Sequence, residues 1–448
     1  MDDTIAAIST ALGVGAISII RVSGKDSLNI VDKIFDGKDL TKVPSHTIHY
    51  GHILSDNEII DEILVSVMLS PKTFTKENIV EINSHGGIAT TNKVLELVLL
   101  NGARMAEPGE FTKRAFLNGR IDLIEAENVM NLINSKTETS RRLAINGLSG
   151  KVSKMISDLR NKMIDIITNI EVNIDYPEYE DILVVTNDMI KNNVSELKKE
   201  LQKILKEAEN GKLIKEGIKT LIVGRPNVGK SSLLNKLLDE DKAIVTDIEG
   251  TTRDIVEGNV TIDGILLNII DTAGIRETDN IVEKMGVEKS LNLIDSADLV
   301  IVVLNNNEKL TNQDKYILEK TKDKNRIIYI NKKDLESNID IDSDDVIYGS
   351  TINEDGLDTL KNKIRDLFNM DMIEKSDLNY LSSTEQIATI KETLSIIDDI
   401  EKSIDMNVEV DMIEIDIKKI WELLGILIGE NYDDELIDNL FSKFCLGK

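Results

Sequence analysis

The spacing of apolar positions changes along this chain, and the changes divide it. Ala16–Gly24, Asp61–Leu69 and Asn78–Gly87 are short apolar runs that read as strands, the last ending in a glycine pair. Thr90–Ala103 reads as a helix stopped by Gly102. Together they predict an α+β domain over residues 1–118. From Arg120 to Asn210 the period becomes helical. Leu148, Val152, Met155, Leu159, Met163, Ile166, Ile170 and Ile174 form one apolar stripe, the pattern of a helix packed in a bundle. Pro177, within Asp175–Asp181, interrupts it, and a further helix is expected from about Asn187 to Gly211. Residues 215–372 alternate strand and helix in the manner of a doubly wound sheet. Past Asp377 the helical stripe resumes at Ile387, Ile390, Leu394, Ile397 and Ile404, then at Ile413, Ile417, Ile420, Leu424 and Leu427. The expected architecture is multidomain α/β and α+β. An N-terminal α+β domain is followed by a discontinuous helical bundle (119–214 and 373–448), with the doubly wound domain inserted into it.

The inserted domain carries the clearest chemistry. Ile218–Val223 is a buried-type strand, Gly224 and Gly229 bracket a turn, and Lys230, Ser231 and Ser232 open an apolar-periodic helix. Strand, glycine loop and helix in that order cradle a polyphosphate. Glycines let successive N–H groups across Asn227, Val228 and Gly229 converge, Lys230 reaches the terminal phosphates, and the Ser231 hydroxyl binds magnesium. Further segments follow in the order a Ras-like GTPase requires. Asp247–Asp254 offers Thr251 and Thr252, one of which can complete the magnesium shell. Ile265–Gly274 delivers Asp271 to the metal's outer shell and Gly274, with Thr272 and Ala273, to the γ-phosphate. Arg326–Asp334 ends a strand with Asn331, Lys332 and Asp334. A carboxylate there accepts two hydrogen bonds from guanine that adenine cannot offer, so GTP is expected. Tyr348–Thr351 is a strand-end loop placed to touch the guanine oxygen.

After the DTAG glycine stands Ile275, which cannot orient water as a glutamine does. Glu277 and Glu283 are the nearest carboxylates, and Arg253 and Arg276 occupy loops without forming an evident arginine finger. A monovalent cation held by Asn227 and loop carbonyls would neutralise the β–γ bridge.

Net charge is −27, distributed as −4, −2, −10 and −11 over 1–118, 119–214, 215–372 and 373–448. Non-specific coating of nucleic acid is therefore excluded, and contact with RNA has to be local or transient. One cysteine rules out a disulfide framework. No apolar run approaches the ~18 residues of a membrane span, so a soluble cytoplasmic protein without membrane contact is expected. His46, His49 and His52 recur every three residues in an extended segment and so face alternately, a poor arrangement for a metal.

Along its full length the chain resembles the tRNA-modifying GTPase family MnmE (TrmE). The resemblance rests on DTIAAIS and IIRVSG near the start, VEINSHGG, PGEFTKRAFLNGRIDLIEAE (Pro108–Glu127), GRPNVGKSSLLN, IVTDIEGTTRD, DTAGIRETDNIVEKMGVE and the final CLGK. The nucleotide motifs alone would also fit nucleotide-switch GTPases of ribosome assembly, of the Era or Der type; the N-terminal motifs and the last four residues decide between them.

The resemblance implies a homodimer that works with an FAD-dependent MnmG-like partner in a heterotetramer on the wobble uridine of certain tRNAs. It implies a one-carbon donor, 5,10-methylene- or 5-formyl-tetrahydrofolate, held by the N-terminal domain at Arg21, Glu81, Arg120 and Lys448. Asn227, Thr246, Ile248 and Thr251 match a potassium site, Ser231 and Thr252 a magnesium site, and Glu283 a water-activating catalytic carboxylate. Thr246–Thr252, including Asp247, Glu249 and Gly250, then belong to the GTP site, and Cys445 is taken as a functional, catalytic candidate. A carboxylate such as Glu81 suits the donor–acceptor edge of a pterin, and basic side chains suit an anionic glutamyl tail. STALG (Ser9–Gly13) replaces the family's proline-containing turn, and Arg120 stands where lysine occurs.

Overall fold

The computed structural model describes residues 3–175, 186–240, 258–262, 264–270, 293–341, 346–353, 355–368, 381, 383–430 and 434–447. The chain divides into two compact units. Met1–Met130, Leu148–Ser195 and Ser395–Lys448 make the first, and Asn131–Gly147 with Glu196–Leu394 make the second.

The first unit is built on a sheet of β1 (Ile5–Ile8), β2 (Gly15–Ser23), β3 (Phe35–Asp36), β4 (Thr47–Ser55), β5 (Glu58–Met68), β6 (Ile79–Gly86) and β7 (Arg104–Met105). Its order is β3-β4-β5-β6-β2-β1-β7, antiparallel except for β1 against β7. Side chains alternate across a strand, so an antiparallel sheet can bury one face and leave the other open. Ile20, Val22, Val65, Val67, Val80 and Ile82 join one buried cluster with Val94, Leu95 and Val98 of the helix Ile88–Leu100. Ile17, Ile48, Tyr50 and Leu64 are exposed. At the end of β6 a side chain on Gly86 would stand 2.4 Å from the Gly15 carbonyl oxygen. The close approach at this glycine is thus made by the sheet itself, while Gly87 caps the helix that follows.

In the same unit the helix Lys151–Asp175 packs on the helix Val410–Ile428. Arg160 stacks 4.0 Å from the Trp421 ring centroid. The buried face of the first helix is Val152, Ile156, Leu159, Met163, Ile166, Ile167 and Ile170. It therefore differs from the stripe read from sequence. Leu148 lies outside this helix, which Gly150 at φ 68° separates from Glu138–Gly147, and Ile174 is 49% exposed. A helical period of 3.6 rotates a fixed-step stripe off the contact line over this length. On the second helix Ile413, Ile417, Ile420, Leu424 and Leu427 are all buried, as their spacing predicts.

The second unit holds β8 (Ile218–Val223), β9 (Gly258–Ile262), β10 (Ile265–Ile270), β11 (Leu299–Asn305), β12 (Arg326–Asn331) and β13 (Val346–Tyr348). The order is β13-β12-β11-β8-β10-β9, and only β9 runs antiparallel to its neighbour. The order reverses beside β8, which is where an open parallel sheet binds its ligand. The helix Asn187–Glu216 runs through Gly211, its expected end, and stops at Gly217, where φ is 80° and a side chain would meet the Leu266 carbonyl at 2.8 Å. Leu143, from the helix Glu138–Gly147, lies in the same buried cluster as Ile218, Val260, Ile262 and Leu267. Lys391 and Glu209, from helices on either side of the nucleotide sheet in sequence, pair at 2.7 Å. Among the described residues no helix is long and apolar enough to cross a membrane.

Candidate functional site

Gly224 closes β8 in a conformation that brings its Cα under the Val303 carbonyl, where any Cβ would meet that oxygen at 2.4 Å. The loop then passes through Asn227 at φ 62° and Gly229 at φ 99°, left-handed positions at which glycine and asparagine are least strained. A side chain at Gly229 would stand 2.1 Å from the Asn331 amide nitrogen. Glycine is thus demanded there by the guanine-side loop as well as by the phosphate loop. Val228 is buried, Asn227 is exposed at the apex, and Lys230, Ser231 and Ser232 begin the helix Lys230–Glu240. Its N–H groups and dipole favour an anion. The Lys230 ammonium donates to the carbonyls of Gly224 and Arg225 at 2.9 and 3.0 Å, which holds it across the mouth of the loop.

The end of β12 ties three loops together. Asn331, only 2% exposed, donates from its amide to the Val228 carbonyl at 3.0 Å and accepts from the Thr351 backbone N–H at 3.1 Å. Lys332 donates to the Asn227 carbonyl at 3.0 Å. Asp334 accepts from the Ser350 hydroxyl, so the loop Tyr348–Thr351 orients the carboxylate that sequence assigns to guanine.

Sequence reasoning passed over Arg225. Its guanidinium pairs with Glu308, and its Nε lies 3.2 Å from Asp314 in a geometry too bent for a hydrogen bond. The Arg225 contact holds the Glu308 carboxyl below its usual range. The partners sit over eighty residues away in sequence, so no local pattern announces them.

Thr246, Asp247, Ile248, Glu249, Gly250, Thr251, Thr252, Asp271, Thr272, Ala273, Gly274 and Glu283 lie outside the described residues, as do Arg253, Ile275, Arg276, Glu277 and Lys448.

A separate constellation occupies the β2–β6 face of the first unit. Arg21 and Glu81 are paired across the strands, and Arg21 Nε donates to Glu81 Oε1 at 2.8 Å with both side chains about four-fifths buried. The Arg21 guanidinium lies 5.7 Å from the rings of both Phe74 and Phe111, and Arg120 lies 4.8 Å from Phe74, whose carbonyl it also contacts at 3.1 Å. Both rings are within cation–π range of the guanidinium. Phe74 and Phe111 were invisible to sequence reasoning because both are ordinary apolar positions, one in the loop before β6 and one in the helix Glu110–Leu117. Cys445 is exposed and free, and its carbonyl accepts from the Gly109 N–H at 3.3 Å.

A parallel sheet with a phosphate loop at its switch point, and an Asn-Lys-x-Asp strand end beside it, defines a P-loop GTPase domain. Comparison with known proteins is more specific. Residues 4–120 match the family described as GTP-binding protein TrmE N-terminus, and residues 123–445 match the MnmE helical domain. The tRNA modification GTPase MnmE of Bacillus cereus is 51% identical over 455 residues, covering 100% of this chain and 99% of the relative. That of Streptococcus thermophilus is 50% identical over 450 residues, covering 100% and 98%. A solved structure of Aquifex aeolicus Era bound to GDP·AlF4− is 27% identical, covers 34% of this chain and 56% of its own, and superposes with a TM-score of 0.25. The chain belongs to the MnmE family of tRNA modification GTPases.

Proposed function

We propose that this chain is a potassium-activated GTPase which, with an FAD-dependent MnmG-like partner, adds an aminomethyl-type group to C5 of the wobble uridine of certain tRNAs. The carbon comes from 5,10-methylene- or 5-formyl-tetrahydrofolate. The observation that carries the reading is the Arg21–Glu81 pair, with Phe74 and Phe111 each 5.7 Å from the guanidinium, in a chain that also carries a guanine-nucleotide loop. In this reading Glu81, oriented by Arg21, pairs with the donor edge of the pterin, while Arg120, with Lys448, neutralises its anionic tail. The fit is sound, because a carboxylate about four-fifths buried, with one oxygen engaged by Arg21, keeps its other oxygen as an acceptor. When bound, the folate supplies the one-carbon unit.

In the nucleotide site, Lys230 swings from the loop carbonyls to the terminal phosphates, and Asp334, oriented by Ser350, reads the guanine edge. Ser231 and Thr252 would hold magnesium; Asn227, Thr246, Ile248 and Thr251 would hold potassium. Asn227 suits this, standing exposed at the loop apex in a left-handed conformation. These ions supply charge neutralisation on the β–γ bridge. Glu283 activates the attacking water, the role that Ile275 cannot take. The molecule acts as a homodimer, with the exposed residues Ile17, Ile48, Tyr50 and Leu64 of the N-terminal sheet supporting self-association. Its contact with tRNA is local, in keeping with a net charge of −27.

Isothermal titration with 5-formyl-tetrahydrofolate, and GTP hydrolysis in potassium against sodium, test the reading. Saturable folate binding and strong potassium stimulation are expected. Absence of folate binding with intact GTP hydrolysis would favour a nucleotide switch of the Era or Der type.

A further inference from the structure

The C-terminal tail is anchored on the N-terminal sheet domain by contacts that leave little room for adjustment. Phe441, 1% exposed, packs at a tilt against Phe444 at 5.0 Å and Phe116 at 6.1 Å between ring centroids. Lys113 pairs with Asp438. Beyond this aromatic clamp, the Gly109 N–H donates to the Cys445 carbonyl, and the Ser9 hydroxyl donates to the Gly447 carbonyl at 3.2 Å.

Two glycines set how closely the tail can approach. Gly109 has φ 70°, and a Cβ on it would stand 2.4 Å from the Phe441 carbonyl oxygen and 2.8 Å from Phe444 Cβ. Gly447 has φ 84°, and its Cβ would stand 2.3 Å from the Ile8 carbonyl oxygen. Both clashes are with backbone, which cannot rotate away. The helix Glu110–Leu117 that follows Gly109 also supplies Phe111 to the Arg21 guanidinium. One short element therefore carries the tail's seat at its N-cap and a ring against the Arg21 guanidinium two residues further on.

We infer that Gly109 and Gly447 are positioning residues: together they fix the register of the tail on the N-terminal domain and so the place at which Cys445 is presented. The inference rests on the proposed function only where Cys445 is given a role in modification; the docking itself is independent of that role. Because the chain has a single cysteine, its thiol reports the docking without interference.

The test uses the full-length chain with the variants Gly109→Ala, Gly109→Asn, Gly447→Ala and Ser9→Ala, and measures the rate of Cys445 alkylation by iodoacetamide. Asparagine tolerates the left-handed backbone but keeps the clashing Cβ, so it separates strain from lack of space. Both Gly109 variants and Gly447→Ala are expected to change the alkylation rate by at least about three-fold. Ser9→Ala, which removes one hydrogen bond, is expected to move it less, in the same direction. GTP hydrolysis and KM for GTP should stay at the parental value while tRNA modification falls in kcat. Should a glycine variant fail to fold, Ser9→Ala decides alone. Parental alkylation rates in every folded variant would overturn the inference. Altered alkylation with full tRNA modification would uphold the docking and instead refute a role for Cys445.

Discussion

β11 is buried from Leu299 to Asn305, whereas in β4 and β5 buried positions occur only from the middle of each strand onward, separated by exposed or half-buried ones. The central strand of the nucleotide sheet is covered on both faces, so the chemistry is confined to strand ends, at the loops that carry Gly224, Asn331 and Asp334. The N-terminal sheet leaves a face open, and its polar pair Arg21–Glu81 lies on that face, mid-strand. Parallel topology thus gathers a site from consecutive motifs, and one-sided antiparallel topology gathers one from cross-strand neighbours. The first kind is coded locally and the second is not.

Substitutions should affect one sheet and spare the other. Lys230→Ala should lower GTP hydrolysis by about 10³-fold, measured as phosphate release, and leave folate titration unchanged. Asp334→Asn should reduce the preference for GTP over XTP by about 10²-fold in competition binding, because an amide donates to the xanthine C2 carbonyl where a carboxylate accepts from the guanine amine. Glu81→Gln should weaken 5-formyl-tetrahydrofolate by about ten-fold in isothermal titration with hydrolysis unaltered. If either class of variant disturbs both readouts equally, the separation of the two sites fails.

The smallest effect concerns acid. Asp3 is held below its usual range first by the Arg104 hydrogen bond, against burial, with Arg114 adding to it. For Glu110 burial opposes the charge, yet the bonds from Arg104, the Glu107 backbone and Arg114 outweigh it and leave the carboxyl lowered. Lowered carboxyls stabilise the fold above their unfolded range, and this contribution is lost as pH falls through the lowered native values. Arg104→Gln lets both rise. Acid unfolding of the first unit, followed by fluorescence of its one tryptophan, Trp421, should then begin at higher pH, by less than about one unit. An unshifted transition would show that the Arg104 cluster is not what acid attacks first.

Much of the nucleotide sheet was legible in sequence: β8, β10 and β12 begin and end near the boundaries their apolar runs imply. Such runs are interrupted by loop residues whose backbone conformations, as at Asn227 and Gly229, are written into residue type. The Arg225 clamp was not legible, since Glu308 and Asp314 come after β11, more than eighty residues on in sequence. Around Arg21 the residues come from β2, β6, a loop and a helix, and only resemblance brought Arg21, Glu81 and Arg120 together. Phe74 and Phe111, ordinary apolar positions in sequence, take their meaning from the guanidinium they lie beside. The helix boundaries at Gly150 and Gly217 turn on which glycine enters the left-handed region, and Gly211, inside a helix, looks the same in sequence.

Leu143 has a practical corollary for anyone wishing to work with the GTP-binding half by itself. It lies in the same buried cluster as Ile218, Val260 and Leu267, although it stands more than seventy residues upstream of the first of them. A fragment trimmed to begin at residue 215 would carry an oily notch open to water and should clump or soften on warming. Splicing residues 131–147 through a short tether onto 196–394 would bring the missing plug along, and should yield the better-behaved piece.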